Sequence, residues 1–309
     1  MAKPPRKGTK RSSLPQAPTR RSPTPGRVPS SGRGRPGAGT PRGKQGSGTS
    51  AARSTSGPRH GLGGEQVEGR QAVRELLLAG RRKVREIWLL AEQDQADVLD
   101  DIVELAEAER VPVRQVSRGK FFAEARCEAP QGVLAKAAPL DEVLLDELAT
   151  PRRGGPPPFL VAVDGVTDPG NLGALLRSAE CAGATGVVLP RHRAVHVTPT
   201  VTKAAAGAVE HLSFAVVGGL PTALQQLSKQ GVWVVGLDGG GSTGLWDLPA
   251  ADGPIVLVLG AEGAGLSRLV RQRCDAIASI PLAGSLGSLN VAAAAALACF
   301  EVARARNAR

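Results

Sequence analysis

Three short polar or glycine-rich clusters in the second half of the chain hold residue types that can do chemistry, and each follows directly on an apolar run. The first is Asp164-Gly165-Val166-Thr167-Asp168-Pro169-Gly170-Asn171-Leu172-Gly173, leading into a helical pattern that carries Arg177. Asn171 and Arg177 can offer an amide and a guanidinium to a phosphate or a hydroxyl. They also fit a helix-capping Asn and a solvated Arg. The second is Gly260-Ala261-Glu262-Gly263-Ala264-Gly265-Leu266-Ser267, whose three glycines let the backbone come close to a ligand beside the carboxylate of Glu262. No Gly-Lys-Ser/Thr follows, and the order is not G-x-G-x-x-G, so neither an ATP nor a dinucleotide loop is indicated. The third is Ile280-Pro281-Leu282-Ala283-Gly284-Ser285-Leu286-Gly287-Ser288-Leu289-Asn290-Val291, running into an Ala-rich helix. By local pattern Ser288 occupies the N-cap position and Asn290 the first turn.

Other constellations are weaker. His192 and His196 have an H-x-x-x-H spacing, but β-branched residues and Pro199 interrupt a helix there and no carboxylate completes a metal set. Nothing places His211 against a Ser or Cys nucleophile. Cys127, Cys181, Cys274 and Cys299 form no C-x-x-C pair, so they read as buried thiols in a reducing compartment. Aromatic residues make up 3% with no tyrosine, which argues against stacking of bases on an aromatic platform as the main nucleic-acid contact.

The elements that must position these clusters are strands of continuous apolar character: Phe159 to Val163, Gly186 to Leu189, Val232 to Leu237, Ile255 to Leu259 and Ala276 to Ile280, separated by helical patterns. Continuous runs imply a sheet covered on both faces, hence an α/β fold with a mostly parallel sheet, whose ligand sites lie at the carboxyl ends of strands. Upstream, a helical face (Ala72, Val73, Leu76, Leu77), the run Ile87-Trp88-Leu89-Leu90, a helix from Ala96 to Glu109, Val111-Pro112-Val113 and Gly132-Val133-Leu134-Ala135 describe a small α/β domain over 63–138. Residues 139–158 read as a linker with one short helix over 140–149 and a Pro/Gly-rich stretch over 151–158, and 159–309 as the larger domain.

Residues 1–62 form a basic tail. The first 60 positions hold 14 Lys and Arg, no Asp or Glu, 10 Pro and 10 Gly, a composition that predicts disorder. The chain's net charge of +11 therefore resides in the tail, because residues 61–309 carry 25 basic and 28 acidic residues, a net of −3. Such an arm suits non-specific attraction to a polyanion. A merely solubilising tail and, last, a transit peptide are the other readings. No apolar stretch is long enough to span a bilayer, and the first 30 residues show no secretory core, so a soluble, cytoplasmic protein is expected.

Together and in this order, the three clusters resemble the signature motifs of the SpoU/TrmH class of the SPOUT methyltransferases: Asn171-Leu172-Gly173 through Arg177, Leu259-Gly260-Ala261-Glu262-Gly263, and Ile280-Pro281-Leu282 with Ser288-Leu289-Asn290-Val291. Thr198 to Glu210 is similar to the segment between the first two. Val67-Glu68-Gly69-Arg70-Gln71-Ala72-Val73 and Pro130-Gln131-Gly132-Val133 resemble the ends of that family's small RNA substrate-binding domain, which is like ribosomal protein L30e. The two-domain layout is most similar to the 23S ribosomal RNA guanosine 2'-O-methyltransferases.

The resemblance implies transfer of a methyl group from S-adenosylmethionine to a ribose 2'-hydroxyl of RNA, ribosomal or transfer, without a metal. It also implies a C-terminal trefoil knot and a homodimer with the site near the subunit interface. Carried over by position, Gly260, Ile280 and Leu289 would contact the cofactor through their backbone, while Asn171, Arg177, Glu262, Ser288 and Asn290 would form the reaction centre. A guanidinium, with a pKa above about 12, is a poor base, so Arg177 is expected to donate to the developing oxyanion or an adjacent phosphate. Leu282 stands where the family often has Met, and Ala205 and Ala292 where it often has Ser. An antibiotic-resistance methyltransferase of the same fold and a catalytically silent RNA-binding assembly factor are the competing readings.

Overall fold

Two strands at the centre of the larger sheet fix the geometry of everything around them. β5 (Phe159–Asp164) and β10 (Ile255–Gly260) run parallel and in register, with Val163 opposite Leu259 and Asp164 opposite Gly260, so both chains leave the sheet at the same level. The computed structural model describes residues 61–151, 153–192, 196–248 and 250–307. The reading of residues 1–60 as a basic arm lies outside them.

Before the larger sheet comes a four-stranded one of order β1-β4-β2-β3. Its elements are β1 (Gln66–Glu68), α1 (Arg70–Ala79), β2 (Val84–Leu90), α2 (Asp97–Ala108), β3 (Val113–Val116), α3 (Arg118–Glu124) and β4 (Val133–Ala137). Strand alternation sorts its side chains. Ile87 and Leu89 pack with Val133, Ala135 and Ala137 beneath α1 and α2, whereas Trp88, Leu90, Val116 and Leu134 meet Phe121 of α3 on the other face. The third strand begins at Val113 rather than Val111, since Pro112 has no N–H to give and serves only as acceptor for Ile87.

The larger domain continues with α4 (Leu145–Ala149), β5, α5 (Pro169–Cys181), β6 (Gly186–Pro190), α6 (Pro199–Ala204), β7 (Ser213–Val217), α7 (Leu220–Lys229), β8 (Trp233–Leu237), β9 (Thr243–Gly244), β10, α8 (Arg268–Arg271), β11 (Ala276–Ser279) and α9 (Val291–Asn307). The sheet order is β7-β6-β5-β10-β8-β11-β9, and every pairing is parallel. Phe159, Val161, Val163, Leu257 and Leu259 face a core shared with α5, α6 and α9; Leu160, Ala162, Val256 and Val258 face the core under α4 and α7. Burial on both faces is what made the strand runs continuous.

Several boundaries differ from the sequence reading. The helix expected over 140–149 is confined to Leu145–Ala149, because Glu142 bridges to Phe214 and the Val143 N–H donates to the Phe214 carbonyl. Leu62, counted with the tail, is buried in the larger core, and the neighbouring Gly63 pairs with Val197. β7 and the two-residue β9 have no counterpart in the sequence reading; they are the two edges of the sheet.

A buried ion pair joins the two domains. Arg82, in the turn after α1, reaches Glu210 at 2.6 Å with side-chain exposures of 5% and 1%, and also donates to the carbonyls of Gly64 and Ala138. Arg81 donates to the carbonyls of Glu210 and Leu212. Removing one member of such a pair strands the other in a low-dielectric site. Glu210→Ala is therefore expected to lower the unfolding free energy by about 3 kcal/mol or more, seen as a reduced urea midpoint at unchanged slope. A loss below about 1 kcal/mol would mean that Arg82 is satisfied by carbonyls alone.

Candidate active site

The sheet order brings the carboxyl ends of β5, β10, β8 and β11 side by side, so the loops that follow them converge. At the convergence one amide ties three segments together. Asn290 Nδ2 donates to Asn171 Oδ1 at 2.8 Å and to Glu262 Oε1 at 2.8 Å, while Asn290 Oδ1 accepts from the N–H groups of Ala292 (2.8 Å) and Ala293 (3.3 Å). The Val291 N–H adds a longer contact to Glu262 Oε1 at 3.4 Å. The amide orientation follows from its partners, since only the oxygen can accept from two backbone donors.

This corrects the capping assignment at both helices. α9 begins at Val291, so Asn290 is its N-cap and Ser288 lies outside the helix, exposed at the cavity described next. At α5 the cap is Asp168, whose Oδ1 accepts from the Asn171 N–H at 2.7 Å, with Pro169 at the first helical position. The Asn171 side chain is thereby released from capping to meet Asn290.

A cavity of about 400 Å³ opens beside this clasp. Gly260, Ile280 and Leu289, the expected cofactor contacts, all line it, as do Glu262 and Ser288. Its floor depends on glycine. A Cβ on Gly260 would stand 2.5 Å from the Gly265 carbonyl oxygen and 2.6 Å from the Leu266 nitrogen, and Gly263 and Gly265 have φ of +73° and +64°. The loop folds back on itself, Ala261 pairing with Gly265, and is held down where Asp164 Oδ2 accepts from the Ser267 N–H at 2.7 Å.

Asp238, Gly239 and Gly240 line the same cavity and were missed in the sequence. The signal was there, because Asp238-Gly239-Gly240-Gly241 follows the strand ending at Leu237 just as the second cluster follows β10. The Gly240 N–H at 3.0 Å and Arg271 at 2.9 Å hold the Asp238 carboxyl below the usual carboxylate range, the backbone donor weighing most. It therefore presents a fixed negative charge to the cavity at neutral pH.

Arg177 is not part of this assembly. It lies nearly two helical turns beyond Asn171, about 9 Å along α5, is exposed, and lines a separate cavity with Gln71, Glu75 and His211. Of the five expected reaction-centre residues, one chain brings Asn171, Glu262 and Asn290 into contact, places Ser288 at the cavity and leaves Arg177 apart. Cysteine nucleophilic chemistry finds no place here. Burial pushes Cys127, Cys274 and Cys299 up to about 12, and no cysteine lines the first cavity. Cys181, expected buried, is exposed at the end of α5.

The sequence pattern of the SpoU rRNA Methylase family matches residues 158–300, and that described as RNA 2'-O ribose methyltransferase substrate binding matches residues 66–143. A 23S rRNA (guanosine-2'-O-)-methyltransferase RlmB of Pseudomonas putida is 39% identical over 245 residues, covering 78% of this chain and 97% of that relative. A putative TrmH family tRNA/rRNA methyltransferase of Bacillus subtilis is 37% identical over 79% of this chain and 96% of its own length. Among solved structures, the SpoU methyltransferase AviRb from Streptomyces viridochromogenes, in complex with AdoMet, aligns with a TM-score of 0.66 and 26% identity over 78% of this chain and 90% of that one.

The capping correction is testable without any ligand. Asn290→Ala removes a helix cap and two inter-segment bonds and is expected to lower stability by about 1–2 kcal/mol, whereas Ser288→Ala should change it by under about 0.5 kcal/mol. Thermal unfolding of the two variants compares them directly. The reverse ranking would put the cap back at Ser288.

Proposed function

The chain belongs to the SpoU rRNA methylase family, and from that membership we infer that it transfers a methyl group from S-adenosylmethionine to a ribose 2'-hydroxyl of RNA, the target being a guanosine of 23S ribosomal RNA. The observation that carries this reading is the meeting of the second and third motif loops at one cavity, with the first motif tied to them through Asn290, which bonds to both Asn171 and Glu262. A silent RNA-binding factor would have no need to keep a glycine floor, an ionised Asp238 and a three-segment clasp at the same place.

The cavity suits S-adenosylmethionine. Its volume falls within the range of small-molecule sites, and the backbone approach allowed by Gly260, together with Ile280 and Leu289, matches a ligand held through main-chain groups. The Asp238 carboxylate is placed to accept from hydroxyl or ammonium groups. When bound, the cofactor supplies a methyl carbon activated by its sulfonium. What the protein must add is orientation of the attacking oxygen and a route for its proton. Glu262 commits Oε1 to Asn290 and Val291, leaving Oε2 to accept from an incoming hydroxyl. Ser288, outside the helix, is a further hydroxyl at the same cavity. Arg177 donates to the developing oxyanion or a neighbouring phosphate.

Because Arg177 lies outside the cavity of its own chain, this role needs a second copy. We read the enzyme as a homodimer in which each Arg177 serves the cofactor cavity of the other chain. α9 packs on α5 and exposes Leu297 and Phe300, 39% and 51% accessible, one turn apart on one face. Such a stripe is what a helix-to-helix contact between copies would bury. The small domain is read as the RNA-binding part, with boundaries at 63–138, and the basic tail as an arm attracted to phosphate. Among the described residues no helix is long and apolar enough to cross a membrane, in keeping with work on ribosomal RNA in the cytoplasm.

Incubation with labelled S-adenosylmethionine and unmodified ribosomal or transfer RNA should place label on a guanosine 2'-oxygen of 23S RNA, resistant to alkaline cleavage. Gly260→Ala should lose cofactor binding by calorimetry and all transfer. Label confined to transfer RNA would move the target, and no transfer to either RNA by a cofactor-binding protein would sink the reading.

The dimer is tested by mixing. Arg177→Ala and Glu262→Ala should each be inactive alone. Co-refolded, they should regain up to about a quarter of wild-type activity, because half of the chains form mixed dimers and each of those holds one intact composite site. No recovery from verified mixed dimers would put Arg177 and Glu262 in the same chain's site.

A further inference from the structure

The second cavity, of about 330 Å³, lies where the two domains meet and shares no lining residue with the first. α1 of the small domain contributes Gln71 and Glu75, α5 contributes Arg177 and Glu180, and the segment after α6 closes it with Ala206 and His211. The wall is held close. Gly207 has φ +88°, and a Cβ there would stand 2.8 Å from Glu75 Cγ. Ala206 keeps a left-handed φ of +49°, a conformation that non-glycine residues hold only where the surroundings impose it.

The polar groups of this cavity differ in how they are engaged. Glu75 is committed, Oε2 to His211 at 3.1 Å and Oε1 to Arg74 at 3.5 Å. Arg177 and Glu180 are one turn apart on one face of α5 and opposite in charge, yet they form no salt bridge with each other or with any described residue. Glu180 also accepts from the neighbouring Cys181 thiol, a weak donor that leaves the carboxylate free to accept further bonds, so an acceptor and a donor without an ionic protein partner face the same space. Two carboxylates in the wall disfavour a bare phosphate. A ligand that offers N–H donors at one edge and carbonyl or ring-nitrogen acceptors at the next fits better.

We propose that this cavity receives the guanine base of the nucleotide to be methylated, with Glu180 accepting from N1–H and the N2 amine and the Gln71 amide meeting O6 or N7. The proposal rests on the guanosine reading above. Arg177 then lies beside the ribose of the same nucleotide, which is where a residue acting on its 2'-oxygen has to be. Adenine has no hydrogen on N1 and no N2 amine, so it would leave the Glu180 carboxylate without a donor. A nucleotide drawn out of its stack into such a pocket is read by its edge.

The test is a cycle between Glu180→Ala and the N2 amine of the target base, using ribosomal RNA fragments that carry guanosine or inosine at the methylated position. Wild type should lose roughly tenfold to a hundredfold in kcat/KM on inosine. Glu180→Ala should be weaker on guanosine and lose under about threefold more on inosine, because the contact is already gone. Unchanged S-adenosylmethionine affinity of the variant checks that it is folded. An equal inosine penalty in both proteins would overturn the base pocket while leaving the methyltransferase reading intact. If wild type itself labels no guanosine, the target assignment falls, and the base pocket with it.

Discussion

The Asn290 side chain is the interaction on which the site depends. It caps α9 with its oxygen and joins Asn171 to Glu262 with its nitrogen, so the start of α9, the start of α5 and the loop after β10 are placed by one planar group. Few side chains can do this. Asp would cap equally well but brings a second negative charge against Glu262 and has no donor to give. Ser caps through a shorter side chain with a single donor. The carboxylate of Glu262 in turn sits at the N-terminal end of α9 and accepts from Val291, where the helix dipole favours negative charge. Capping and site assembly are the same act, which couples the position of the third motif to the folding of the last helix.

How much of this was legible in the sequence follows from the range of each interaction. The strands were readable because burial on both faces leaves an apolar run with nothing to confuse it. The close packing at Gly260 was readable because the glycines around it serve one tight loop. The cap of α9 was misplaced by two residues, since local pattern ranks Ser288 and Asn290 alike and the decision is made by Asn171, 119 positions away. Arg177 could be placed off the apolar stripe of α5, but no periodicity says which cavity an off-stripe residue faces. Asp238 escaped because its loop lacks a second polar signature; its importance comes from Arg271 and Gly240, which fix its charge.

α5 acts as the beam between the two cavities. Its first turn carries Asn171 to the clasp, and its last two turns carry Arg177 and Glu180 to the domain junction. The beam is seated at Gly173, where a Cβ would come within 2.8 Å of the Val201 carbonyl oxygen, so α6 lies against α5 at backbone distance. That contact also sets the position of Ala205 to Ala208, which wall the second cavity. A shift of α5 along its axis would therefore disturb both cavities together.

The remaining wall, α1, belongs to the small domain, and its placement cannot be left to a Pro/Gly-rich connection. Arg82, just beyond α1, is buried against Glu210, just beyond α6, so the ion pair spans the same junction that Gln71 and Glu75 line from the other side. A buried pair of this kind contributes little net stability compared with apolar packing, because desolvation offsets much of its attraction. Its directional bonds to Glu210, Gly64 and Ala138 nevertheless accept only one arrangement of the two domains. An apolar patch would tolerate sliding; a fork of guanidinium bonds does not. The junction is built for register, which is what two domains need if both contribute to holding one nucleotide.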